Sequence, residues 1–295
     1  MTYRNQMIAL TFILLFLLND GPVGFAESPT AKQPIPDKLV VLTFDDSVKS
    51  HYTIVRPLLR KYKFGATFFI TEGFEFKKNK QHYMSWSEIA RLYQDGFEIG
   101  NHTRDHMGLD AKHPENLKKQ LAVYPAQLGA IDERCKEYGI PVPTSFAYPG
   151  NGIAPEALPL LKKLNIKFAR RGGAPEYPYK KGQGFAFEPG KDHPLLLPTA
   201  GDARPDWELS DFVRAVKQAK NGRIAIIQFH GAPDLAHSWV NTPVGKFELY
   251  MKYLAENNYQ VIALRDLEKY VDPNMTPDDA FEVIAERKKL LAKQK

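Results

Sequence analysis

The sequence predicts an α/β fold in which seven or eight parallel strands, covered by helices, close into a barrel. Short apolar runs rich in β-branched and aromatic residues recur between residues 39 and 264, and helix-patterned segments separate them. Strands that are apolar throughout and alternate with amphipathic helices are buried on both faces, which is the condition of a parallel sheet. Seven or eight such units in one chain favour closure over an open sheet. The unusual polar residues fall just after the strands, at the carboxyl-end face where barrels build their sites.

The runs of strand length are LVVLTF (39–44), ATFFIT (66–71), FEIGN (97–101), TSFAYP (144–149), IKFARR (166–171), LLLPTA (195–200), IAIIQFH (224–230) and YQVIAL (259–264). Between them lie TIVRPLLRKYK, SWSEIARLYQDG, PENLKKQLAVYPAQLGAIDERCKEYG, PEALPLLKKLN, LSDFVRAVKQAKN and KFELYMKYLAENN, several of them ending in the Gly or Asn that stops a helix. Residues 171–194 read as loop, and no internal repeat occurs.

At 295 residues, 43% of them hydrophobic, the chain is long enough for a large core. The first 26 residues differ from the rest. Arg4 precedes the apolar run 7–18, and Gly24 and Ala26 are small residues placed as signal-peptide cleavage requires. The run has 12 residues against the ~20 that span a bilayer, which predicts export to the periplasm or beyond and no stable membrane insertion after cleavage. Residues 27–37 are Pro-rich and polar and read as a linker, 38–272 as the folded domain, and 273–295 as a solvated helical tail. The single cysteine, Cys135, rules out an internal disulfide framework and reads as structural. The net charge of +6 comes from scattered Lys and Arg, with no zinc finger, RNA-binding signature or basic stripe, so no nucleic-acid partner is expected.

LTFDDS (42–47) ends the first strand with two adjacent carboxylates, Asp45 and Asp46, which repel one another. HTRDH places His102 and His106 four residues apart, so that a helical turn or a tight loop can turn both imidazoles to one ion. With one aspartate added, the set is His, His, Asp with room for water, a catalytic rather than structural zinc arrangement; the plain alternative is a loop with two surface histidines. A divalent cation accounts for the doublet, because one carboxylate can ligate while its neighbour stays ionised and accepts a proton from water. His230, at the end of a late strand, could protonate a leaving group.

With these residues assembled, the chain resembles the polysaccharide deacetylase family, carbohydrate esterase family 4, which carries the NodB homology domain. TFDD (43–46), HTRDH (102–106) and QFHG (228–231) look like its first, second and last motifs, in order and each after a strand. The resemblance implies a distorted (β/α) barrel and removal of N- or O-acetyl groups from an acetylated glycan with zinc or a similar divalent ion. Carried onto this chain, it implies Asp45 as general base, Asp46, His102 and His106 as metal ligands, and His230 as general acid.

Two motifs depart from the family pattern. FAYPGN (146–151) puts Ala147 where an Arg usually braces the catalytic aspartate, so Asp45 needs another partner. The backbone N–H groups of Tyr148 and Gly150 are candidates for holding an oxyanion, or they form a plain Pro-Gly turn. DARPDW (202–207) matches the fourth motif loosely, which implies that Asp206 orients His230 and Trp207 walls the pocket, with helix capping the alternative for Asp206. His237 and Trp239 are candidates for a sugar platform on the rim. Two other functions stay open: hydrolysis of a small amide or cyclic imide on the same fold, and glycan binding without catalysis.

Overall fold

The sheet is built around β1, Leu39–Phe44, every residue of which is buried. In this computed structural model, which describes residues 32–293, all of the paired strands run parallel. On one side of β1 lie β2 (Thr67–Ile70), β3 (Glu98–Asn101), β4 (Ser145–Ala147) and β5 (Phe168–Arg170). On the other lie β7 (Ala225–Phe229) and the two-residue β6 (Gly201–Asp202). The last strand, β8 (Gln260–Ile262), pairs with the first half of β1, and β2 pairs only with its second half. Gly65 permits this wedge: a Cβ there would meet the backbone of Ile262 and Ala263 at 2.8–2.9 Å.

The sheet curls into a distorted (β/α) barrel. Between β5 and β7 the wall is thin: Leu197 bridges to Arg170, and four residues later Gly201 and Asp202 pair with Ile227 and Gln228. LLLPTA, expected as a strand, is instead a 3-10 turn over Pro194–Leu196 with a bridge at Leu197, and the strand proper starts at Gly201. Pro194 and Pro198 lack the N–H groups that a ladder needs.

Six helices follow their strands: α1 (Arg56–Tyr62, continuous with a π-helical turn at His51–Val55), α2 (Trp86–Gln94), α3 (Pro114–Glu137), α4 (Ala157–Lys163), α5 (Leu209–Val216) and α6 (Val244–Glu256). Ser85 and Glu88 start α2 with a reciprocal capping box. Side chains alternate along each strand, and the hydrophobic clusters follow that alternation. Val40, Leu42 and Phe44 face the helices with Ile227 and Phe229, whereas Leu39, Val41, Ile226 and Phe168 fill the barrel interior.

The chain ends depart from expectation where they are described. Residues 1–26, read as a signal peptide, and the start of the linker lie outside the described residues. The rest of the linker is docked on the body: Gln33 N–H donates to Lys269 O, and Ile35 packs against the interior cluster. The tail forms α7 (Glu282–Ala292), which is not simply solvated, because Val283 and Ile284 join a core cluster and Arg287 makes a two-pronged ion pair with buried Asp192 at 2.6 and 2.8 Å. Cys135 is buried, and burial pushes its thiol up to about 12, which leaves it inert.

Candidate active site

Strand alternation builds the site. If Val41 and Thr43 are interior positions of β1, Asp45 is the next; Ile226 likewise leads to Gln228 and His230, and Phe168 leads to Arg170. The interior is therefore apolar at its base and ends at the carboxyl-end face in a layer of Asp45, Gln228, His230 and Arg170. All four are buried.

Asp45 has the partner that Ala147 could not supply. Arg170 Nη2 lies 2.6 Å from both carboxylate oxygens of Asp45, and Gln228 Nε2 donates to Oδ2 at 3.0 Å. Ala147 and Arg170 are registered neighbours on β4 and β5, so the guanidinium has moved one strand sideways within the same layer. Arg170 is fully buried, also donates to Asn151 Oδ1 at 3.2 Å, and lies over the Phe69 ring. Sequence reasoning missed it. The signal was an Arg two residues beyond an interior Phe in IKFARR, readable only once the strand's inward face is known.

The two aspartates diverge because the backbone turns between them. Asp46 and Ser47 both have positive φ, 72° and 57°, a strained conformation for residues with a Cβ. Ser47 pins that turn, its Oγ donating to Thr71 O at 2.8 Å and accepting from Thr71 N–H at 2.9 Å. Asp46 is thereby carried to the histidines. His102 Nε2 and His106 Nε2 lie 3.4 and 3.3 Å from Asp46 Oδ1.

HTRDH is a tight loop rather than a helical turn, with Thr103 and His106 at positive φ. Asn101 holds its start, accepting from Thr103 N–H at 3.0 Å while donating to Leu128 O and Asp132 on α3. Gln127 on α3 holds its middle, accepting from Asp105 N–H at 2.9 Å. His102 Nδ1 sits 2.7 Å from Ala147 O. A carbonyl only accepts, so Nδ1 carries the proton and the Nε2 lone pair faces Asp46.

This donor set fits a divalent cation. One ligand atom each from Asp46, His102 and His106 lies within 4.8 Å of the others, and Asp46 Oδ1, though buried, has no hydrogen-bond partner. Burial pushes the His106 imidazole down to about 4, with the neighbouring His102 adding to the effect, so it is neutral and ready to ligate near pH 7. Burial alone would raise the Asp46 carboxyl, but the imidazoles of His102, His230 and His106 around it override this and hold Asp46 below the usual carboxylate range.

His230 lines the same cavity, its Nε2 3.9 Å from Asp46 Oδ2 and its Nδ1 3.9 Å from Asp202 Oδ1. Its backbone carbonyl accepts from buried His51 Nε2 at 2.7 Å. The carboxylate facing His230 is therefore Asp202; Asp206, expected in that role, is exposed and lies outside the cavity. Trp207 is not a pocket wall either. It packs in the helix-facing core against Gly201 and Ala215. The Pro205 turn between Asp202 and Trp207 separates the two ends of the motif, one kept at the sheet and the other sent outward.

Tyr148 and Gly150 reach the cavity with different standing. Tyr148 N–H already donates to Arg170 O at 3.1 Å, so it is not free for an oxyanion, whereas Gly150 N–H has no acceptor among the described residues. His237 and Trp239 line the cavity, and Phe74 and Tyr179 join them. Phe74 contacts both His106 and His237 at 4.7 Å between ring centroids, and His237 meets Trp239 at 5.2 Å. Phe74, Tyr179 and Trp239 remain 48%, 42% and 61% exposed, unusual for aromatics beside a cavity. Phe74 and Tyr179 come from loops whose sequence carries no periodicity, and nothing local marked them.

Fold and site together define a (β/α) barrel whose carboxyl-end face gathers Asp45, His230 and a group of three residues, Asp46, His102 and His106, that could hold a cation. Residues 32–169 match the family model described as polysaccharide deacetylase, and over that stretch the chain is similar to that family. It is 35% identical to the peptidoglycan-N-acetylglucosamine deacetylase of Bacillus cereus over 34% of this chain and 43% of the relative. It is 28% identical to the poly-beta-1,6-N-acetyl-D-glucosamine N-deacetylase of Staphylococcus aureus over 46% of this chain and 49% of the relative. The chain thus spans less than half the length of these curated relatives. A family 4 acetyl xylan esterase from Clostridium thermocellum, solved with a cobalt ion, shares the fold at a TM-score of 0.50 and 20% identity, covering 80% of this chain and 95% of that one.

Proposed function

We propose that this protein is a metal-dependent deacetylase of an acetylated cell-envelope or extracellular polysaccharide, exported by its N-terminal segment and using zinc. The observation that carries the reading is that Asp45 and His230, each with its own charged partner, share one cavity with the Asp46, His102 and His106 donors. A divalent ion held by those three donors would polarise the acetyl carbonyl and make water more acidic.

The chain's own residues do the rest. Asp45, paired with Arg170 and oriented by Gln228, takes the proton from the attacking water. Gly150, which lines the cavity, offers a backbone N–H to the oxygen that becomes negative. His230 gives a proton to the departing amine or alcohol, with Asp202 beside its other nitrogen. The exposed aromatics of the rim suit the apolar face of a sugar ring. Arg170 also removes the reason for preferring a small cyclic substrate, which rested on Asp45 lacking a brace.

Acetate release over a panel of chitooligosaccharides, peptidoglycan and acetylated xylan, with chelation and zinc add-back, tests the reading. Asp45→Asn and His230→Ala should each lower turnover by about 10²–10⁴-fold while zinc still binds. Undiminished release by either variant would sink these assignments.

A further inference from the structure

Arg204 makes contacts that acid-base chemistry alone does not require. It is 4% exposed, and its guanidinium reaches three places at once. Nη2 donates to Asp202 Oδ2, the carboxylate facing His230, and to Tyr179 O at 3.5 Å; Nη1 donates to Trp239 O at 3.3 Å. The guanidinium also lies over the Tyr179 ring, 4.2 Å from its centroid. Tyr179 and Trp239 belong to loops 60 residues apart in sequence, both lining the cavity with exposed rings. One buried cation therefore fastens both rim loops to the carboxylate behind the general acid.

A short strand makes this possible. Asp202 N–H donates to Gly182 O, and Gln183 bridges to Gly201, which hangs the Tyr179 loop on the edge of β6. Asp202 is itself registered against Gln228, the residue that orients Asp45. A planar fork can serve a carboxylate and two carbonyls and stack on a ring, whereas an ammonium offers a point charge and no face.

We propose that Arg204 is a positioning residue that selects polymeric over small acyl substrates, by holding the Tyr179 and Trp239 loops at a fixed distance from His230. This rests on the deacetylase reading of the same cavity. A sugar chain seated on the two rings then presents its acetyl group in register with Asp45 and His230. A small ester does not touch the rim and gains nothing from the register.

The test compares wild type, Arg204→Lys and Tyr179→Leu on chitopentaose and on 4-nitrophenyl acetate, with isothermal titration of chitopentaose and thermal melts on the same zinc-loaded samples. Both variants should lose at least tenfold more kcat/KM on chitopentaose than on the ester, with KM carrying most of the extra loss and chitopentaose affinity falling in parallel. Equal losses on the two substrates, or wild-type chitopentaose affinity in both variants, would overturn the proposal. Tyr179 is exposed and its truncation removes only the stacked face, so this arm decides the matter even if Arg204→Lys does not fold. Should wild type release no acetate from either substrate, the deacetylase reading fails on its own, and the titrations still decide whether Arg204 sets glycan affinity.

Discussion

The two sides of the cavity are built differently although Asp45 and Asp46 are adjacent. On the Asp46 side, two short loops supply every donor: one turn after β1 and five residues after β3. On the side of Asp45 and His230, support comes from three separate strands: Arg170 on β5 and Gln228 on β7 hold Asp45, and Asp202 on β6 faces His230. The donors of the first side sit in short loops with residues at positive φ, tied down by hydrogen bonds to Thr71, Gln127 and Ala147. The second is held by the register of the whole barrel. A site can thus keep its ligands through local sequence and shift its braces from strand to strand, because a barrel layer accepts a guanidinium from any neighbour that points inward.

That contrast can be broken by variants on either side. The largest effect is expected at the donor set. His102→Ala or Asp46→Ala should reduce bound zinc from one per chain to near none by elemental analysis and lower acetate release by roughly 10³-fold or more. Retention of a full zinc complement by either variant would show that the ion sits elsewhere.

Arg170→Met comes next. It leaves the Asp45 charge buried without its cation, which should cost roughly 3–5 kcal/mol in urea unfolding, lower turnover, and leave bound zinc unchanged. Because Ala147 and Arg170 are registered neighbours, the double variant Ala147→Arg, Arg170→Ala should recover at least tenfold of the lost turnover relative to Arg170→Ala alone. No recovery would mean that the layer accepts the guanidinium from β5 only.

The smallest effect concerns His51, which supports the His230 backbone from behind. Burial pushes its imidazole from 6.5 down to about 4, against the opposing pull of its bond to His230 O. Above pH 6.5 both the folded and unfolded forms are neutral and the fold keeps its full stability. Between pH 6.5 and 4 the unfolded chain takes up a proton that the folded chain does not, so stability is lost as pH falls, by up to about 3 kcal/mol. His51→Gln should flatten that part of the stability profile in urea midpoints at pH 7.5 and 4.5. An unchanged slope would place the titrating group elsewhere.

The residues legible in the sequence were those whose chemistry is local. A doublet after an apolar run and two histidines four apart carry their meaning in a few residues, and strand lengths and helix periods carry the fold class. Arg170, Asp202, Phe74 and Tyr179 were not legible in that way. In DARPDW the family pattern drew attention to Asp206 and Trp207, while the sheet edge kept Asp202 inside and sent Asp206 to solvent and Trp207 to the helix-facing core. Tyr148 N–H was similarly taken by the ladder bond to Arg170 O, which no local pattern reveals.

The sequence by itself pointed to a parallel α/β fold with a barrel favoured, to its carboxyl-end face, and to Asp45, Asp46, His102, His106 and His230 as the candidate set. These follow from periodicity and spacing within single segments. Tertiary structure alone decided which cation balances Asp45, which carboxylate faces His230 and which rings stand at the rim. Each of those depends on strand register and on the inward or outward parity of residues in different segments, most widely for Asp45 and Arg170, 125 residues apart and 2.6 Å in contact.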